Sequence, residues 1–241
     1  LQIWVYIKAK HVADVTNVTT GYEATGLSLA KGITNKQLGN KGGVGVSFVW
    51  RDTPLCFLNT HLAAKPSRIR QRESDFKQIC ERLRLDPTVP GTPVDFVRQH
   101  DHVWWFGDLN YRTDLPFDET VALANEGRFD EITAHDQLLV EQGARRVFAG
   151  FTELPRSFLP TYRWIRDSVT WSNKNDQSPS YTDRIMLHSL PGVADRVTAE
   201  SLASNNEMFG SDHRPVIGAY TLRLPKRFTL PVLPRRHVPS D

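Results

Sequence analysis

Aspartate, asparagine and histidine recur in this sequence where hydrophobic runs end, the places at which buried strands reach a surface. Asp108 and Asn110 follow the apolar run 103–106 within WFGDLNYR. On an extended segment they share side-chain parity, so both can point into one site. A carboxylate and an amide there can orient a water and a phosphoryl oxygen; an Asp/Asn turn closing the strand is the plain alternative. Asp212 and His213 stand just before the apolar run 216–220 in SDHRPV. Adjacent strand residues face opposite ways, so both serve one site only from an irregular turn, an ending that Pro215 favours. A hard cation such as Mg²⁺ takes oxygen ligands, which suits Asp212, and His213 as imidazolium can stabilise a phosphoryl group. Asp183, in PSYTDRI, can orient a histidine as the third member of a triad orients its base, or simply pair with Arg184. His61 ends the run LNTHLAA, where a histidine is otherwise structural or merely exposed.

Cations complete the pattern. Lys65, Arg68, Arg70 and Arg72 open a helix-like stretch, and a helix N-terminus already favours anions. Arg68 and Arg72 lie one turn apart and can straddle a phosphate, unless they form only a solvated basic face. Lys41 is flanked by Asn40 and by Gly42 and Gly43, whose lack of side chains lets backbone approach a ligand while the lysine reaches it.

These residues need elements to hold them. Residues 1–8, 43–50 and 55–60 read as strands from their β-branched and aromatic content, with a turn at 51–54. A helix spans 67–85, with Ile69, Phe76, Ile79, Cys80 and Leu83 on one face. A Pro/Gly-rich loop follows at 86–93, then a short strand at 103–106. Helices fit 118–125 and 130–142, and strands fit 183–188, 196–201 and 216–222. Strands at both ends with helices between them predict a layered α/β domain with mixed sheets. The domain is expected over 1–223, followed by a Pro- and Lys/Arg-rich tail or linker at 224–241.

Composition excludes several classes. At 241 residues with a formal charge of +3, the chain suits one globular domain and dictates no partner by charge. Two cysteines, Cys56 and Cys80, make neither a disulfide framework nor a metal site and read as buried thiols of a reducing compartment. No apolar run is long enough to span a membrane. Aromatic stacking platforms along a basic groove are not evident, which argues against a nucleic-acid partner.

Taken jointly, LGNKGGVGVSF, LNTHLAA, WFGDLNYR, FLPTYRW, PSYTDRI and SDHRPV resemble the inositol polyphosphate 5-phosphatase family, in its order and over residues 1–222. The resemblance implies a four-layered α/β sandwich with two mixed β-sheets flanked by helices, the endonuclease/exonuclease/phosphatase fold. It implies Mg²⁺-dependent removal of the 5-phosphate from a phosphoinositide or a soluble inositol polyphosphate. Asp108 and Asn110 would orient water and phosphate, His213 would stabilise the transition state supported by Asp183, and His61 would hold a phosphate oxygen. Asp212 would sit at the metal. Tyr162 and Arg163 of PTYRW would touch the 4-phosphate, with Lys41 and Arg72 as further substrate contacts. A cytoplasmic, peripherally membrane-associated protein is expected.

Three departures qualify that likeness. The family's N-terminal part, with a metal-binding Glu and an Asn, has no counterpart here, so the isolated 241-residue chain is expected to show little or no turnover. Tyr181-Thr182 stands where the family has Trp-Cys. Asn175, Asp176 and Gln177, with Lys174 nearby, stand where the family often places basic residues. A catalytically silent phosphoinositide-binding scaffold and, with less support, a Mg²⁺-dependent nuclease are the rival readings.

Overall fold

Arg51 and Asp52 both take positive φ, 45° and 63°. That is the conformation of a two-residue hairpin turn whose twist matches its flanking strands. The Arg51 side chain anchors the turn by donating from Nε to Asp14 Oδ2 at 2.8 Å. The computed structural model describes residues 1–25, 41–85 and 95–225. Its strands are β1 (Val15–Thr25), β2 (Lys41–Trp50), β3 (Thr53–His61), β4 (His102–Asp108), β5 (Asp183–Ser189), β6 (Val197–Ser204) and β7 (Val216–Leu222). Its α-helices are α1 (Ile69–Arg82), α2 (Phe117–Asn125), α3 (Phe129–Ala134) and α4 (Gln137–Gly143).

The first five strands form one mixed sheet in the order β1-β2-β3-β4-β5. All its pairs are antiparallel except β3 with β4, which run parallel because α1 crosses over between them. β6 and β7 pair antiparallel as a second sheet. Strand parity sorts the core. Cys56, Leu58, Val103, Trp105 and Met186 face α1 and pack with Ile79 and Leu83. Leu55 and Trp104, one residue out of phase, face the second sheet together with Phe48, Val197, Tyr220 and Leu222. Trp105 is fully buried and its Nε1 donates to Thr60 Oγ1 at 2.9 Å. The α/β architecture of layered sheets and helices is therefore as expected.

Four expectations need correction or comment. Residues 1–8 form no strand: propensity alone cannot make one without a neighbouring backbone ladder, and Trp4 and Tyr6 stand 72% and 86% exposed. Strand β1, by contrast, has no counterpart among the expected strands. It is a polar edge strand with much of its length exposed, so it lacks the hydrophobic alternation that marks a half-buried strand. The single helix expected at 130–142 is two, because Asp136 leaves helical geometry and caps α4, accepting from Leu138 N at 2.8 Å. Cys56 is buried, whereas Cys80 is only partly so; both are free thiols. The loop at 86–93 and the tail from 226 onward lie outside the described residues, as does Asn40.

Candidate active site

One row across the first sheet assembles the chemistry. Gly42 on β2 stands opposite His61 on β3, His61 opposite Asp108 on β4, and Asp108 opposite Asp183 on β5. Facing residues in a ladder project to the same side, so residues far apart in sequence share one surface. Lys41 precedes Gly42, and its Nζ contacts His61 Nε2. Gly107 makes the close approach before Asp108 possible. Its φ is +119°, and a Cβ there would come within 2.3 Å of Thr60 O.

Asp108 is held on every side. His61 Nε2 is 3.1 Å from Oδ2. Asn110, itself at φ 58°, donates from its backbone N to Oδ1 at 3.0 Å and from Nδ2 to Oδ2 at 3.1 Å. Burial opposes ionisation of this carboxyl, but the hydrogen bond from His61 and the charges of His213, His61 and Arg112 outweigh it. The group is held below the usual aspartate range. Lys41 moves the other way: burial pushes its ammonium below the ordinary lysine value, and the nearby Asp108 and Asp75 restore only part of it.

His213 sits on the loop before β7, and its Nδ1 lies 2.9 Å from Asp183 Oδ2. Thr161 and Thr182 hydroxyls donate to the same oxygen at 2.6 and 2.9 Å. Thr182, a departure from the family pattern, thus serves Asp183 directly. Burial disfavours the imidazolium, yet the Asp183 hydrogen bond and charge, with Asp108 and Asp212 beyond, raise the His213 pKa above 6.5. The Tyr162 ring packs on His213 with centroids 4.5 Å apart. Isolated bridges from Tyr162 to Ser180 and to His213 bring three of the sequence motifs together.

Of the ten residues nominated from sequence, nine lie at this end of the fold. Arg72 does not face the site. It is fully buried and donates to the carbonyls of Ala63, Lys65 and Pro66 and to Gln137 Oε1. Its place on the helix suggested a surface cation, but the chain before α1 wraps around it. The Asp212 carboxylate faces Arg163 Nε at 3.4 Å and Arg166 Nη2 at 3.7 Å. Arg112, which was not nominated, donates to Asn110 Oδ1 at 2.6 Å and to Gln177 Oε1 at 2.8 Å.

Among the described residues no group of three or more His, Cys, Asp or Glu is placed to hold a metal ion. Mg²⁺, however, is commonly bound by one or two carboxylates together with waters and substrate phosphates. The ionised Asp108 suits that shared arrangement, and no closed protein cage is present among these residues.

The layered sheets and the row of polar residues match the endonuclease/exonuclease/phosphatase fold. The chain belongs to the Endonuclease/Exonuclease/phosphatase family 2, whose model matches residues 1–219. Among curated proteins it is 32% identical over 224 residues to the Type II inositol 1,4,5-trisphosphate 5-phosphatase of Mus musculus, covering 92% of this chain and 21% of that protein. It is 31% identical over 239 residues to the phosphatidylinositol 3,4,5-trisphosphate 5-phosphatase 1 of Homo sapiens, covering 95% of this chain and 19% of that protein. The chain therefore spans about a fifth of the length of these relatives. The inositol polyphosphate 5-phosphatase domain of SPsynaptojanin, solved with inositol (1,4)-bisphosphate and calcium, superposes with a TM-score of 0.74 at 29% identity. That match covers 89% of this chain and 58% of the other. A Cimex nitrophorin at 20% identity, TM-score 0.67, covers 90% of this chain and 68% of its own and shares the fold alone.

Proposed function

We propose that the protein hydrolyses the 5-phosphate of an inositol polyphosphate or of a phosphoinositide headgroup, by attack of water on phosphorus. The observation that carries this reading is the single sheet row of His61, Asp108 and Asp183, with His213 hydrogen-bonded to Asp183 beside it. Phosphate-ester hydrolysis is among the slowest uncatalysed reactions, so charge neutralisation and positioning must supply most of the acceleration. Asp108, ionised and held by Asn110, orients the attacking water. His213, kept protonated by Asp183, donates to a phosphoryl oxygen as charge develops there. Lys41 and His61 add donors on the opposite side of Asp108, and Tyr162 with Arg163 faces the ring and its neighbouring phosphate.

Mg²⁺ is the cation we assign. Asp108 would hold it together with substrate oxygens, and when bound it would neutralise phosphoryl charge and acidify water. A lipid substrate places the protein at the cytoplasmic surface of a membrane. Among the described residues no helix is long and apolar enough to cross one.

The test is phosphate release by the full-length protein from PI(4,5)P2, PI(3,4,5)P3 and soluble inositol 1,4,5-trisphosphate in Mg²⁺. Turnover that Asp108→Ala abolishes supports the reading, and comparison of the three substrates separates lipid from soluble. Tight binding without turnover supports the scaffold instead.

A further inference from the structure

Arg112 is 4% exposed, and a guanidinium has only donors to offer. Its Nη2 donates to Asn110 Oδ1 at 2.6 Å and its Nε to the Asn110 carbonyl at 3.1 Å. The amide of Asn110 is thereby oriented. Its oxygen must meet Arg112, so Nδ2 turns to Leu62 O at 3.0 Å and to Asp108 Oδ2 at 3.1 Å. The remaining donor, Nη1, reaches Gln177 Oε1 at 2.8 Å. The guanidinium also lies 4.5 Å from the centroid of the Tyr162 ring. Tyr162 OH donates weakly to the same Gln177 oxygen, at 3.4 Å. One buried side chain therefore touches Asn110, which holds Asp108, and the loop residues Tyr162 and Gln177.

We propose that Arg112 is a positioning residue that couples recognition of the inositol ring by Gln177 and Tyr162 to the alignment of Asp108. Gln177 is its specificity-determining partner, in a segment where this chain carries Asn175, Asp176 and Gln177 in place of cations. A ring that draws Gln177 or Tyr162 toward itself changes two of the contacts on the guanidinium. The contacts to Asn110 respond, and Asn110 holds both oxygens of Asp108. Lysine keeps the charge but cannot make three directed bonds in one plane, so Arg112→Lys isolates geometry from electrostatics. The inference rests on the hydrolytic reading above, although the coupling has a signature independent of turnover.

The experiment is a cycle of wild type, Arg112→Lys, Gln177→Ala and the double variant in the full-length protein. Each is assayed for turnover and followed by ¹⁵N spectra as inositol 1,4-bisphosphate is added. We expect Arg112→Lys to lower kcat by about thirtyfold with KM changed less than about threefold. Gln177→Ala should raise KM by about tenfold in the wild-type background but only about twofold when Arg112 is already lysine. The Asn110 side-chain amide signals should move with ligand in the wild type and stay still in each variant. Independent, multiplying effects, or an Asn110 signal that moves alike in all four proteins, would overturn the coupling. If Arg112→Lys does not fold, the part-buried Gln177→Ala carries the test alone through the Asn110 signal. A wild type that releases no phosphate but shows the Arg112-dependent shift defeats the hydrolytic reading and keeps the coupling. Normal turnover with an Asn110 signal blind to ligand does the reverse.

Discussion

Asp183 Oδ2 accepts from His213 Nδ1 at 2.9 Å while two threonine hydroxyls hold the same oxygen in place. This pairing favours the charged form of the histidine. Because the folded pKa of His213 lies above 6.5, its protonation contributes stability below pH 6.5, lost as pH rises through the folded value. Activity that needs the imidazolium should fall over the same upward window. Asp183→Asn removes the charge, and we expect the alkaline limb of the kcat profile to move to lower pH. At neutral pH kcat should fall about a hundredfold. An alkaline limb unmoved by the substitution would mean that another group titrates there.

Gly107→Ala tests the close approach at the end of β4. The added Cβ meets Thr60 O at 2.3 Å and forces a side chain into φ +119°. Strain of this kind costs about 1–3 kcal/mol before the clash is counted. Urea denaturation should show at least that loss, and kcat should fall further than stability does because Asp108 follows directly.

Arg72 separates interior support from substrate contact. Arg72→Met takes a donor from Gln137 Oε1 and from three carbonyls, of which Gln137, Lys65 and Pro66 keep one other each, and we expect a loss of about 1–3 kcal/mol in urea unfolding. KM of the protein that stays folded should change less than about twofold. A tenfold rise in KM with little loss of stability would restore Arg72 to the substrate.

A second buried network predicts acid behaviour. Glu153 accepts from Arg184 Nε at 2.8 Å and also pairs with Arg156, while Arg184 Nη1 reaches Asp136 Oδ2 at 2.6 Å. Burial works against the Glu153 carboxylate, but the charge and hydrogen bonds of Arg184 and the charge of Arg156 overcome it and lower its pKa below 4.5. Its contribution is present above pH 4.5 and lost as pH falls through the folded value. Glu153→Gln should cost about 3–5 kcal/mol near neutrality, and the gap to wild type should shrink as pH falls below 4.5. A gap that is constant with pH would exclude an ionised Glu153.

Most of the site was legible because its residues end strands, and strand ends read well from sequence. Asp108, His61 and Asp183 each close or open an apolar run, so one sheet row could be anticipated without its pairing. The network around Arg112 was not legible. Its partners Asn110, Tyr162 and Gln177 lie up to 65 residues away, and only the folded loops show that one guanidinium reaches them. Asp212 beside His213 reads as a metal ligand, while the arginines that face it lie on another loop. In the same way residues 1–8 have the composition of a strand but no ladder among the described residues, and β1 has the ladder without the composition.

Hydrolysis as proposed breaks the P–O bond of the ring 5-phosphate, and the oxygen of water ends in the released phosphate. A single-turnover reaction of the full-length protein with inositol 1,4,5-trisphosphate in Mg²⁺ and H₂¹⁸O tests it most directly. Inositol 1,4-bisphosphate is the expected product, with one ¹⁸O in the released phosphate and none in the inositol. Label in the ring hydroxyl, or loss of the 1- or 4-phosphate in place of the 5-phosphate, would contradict it.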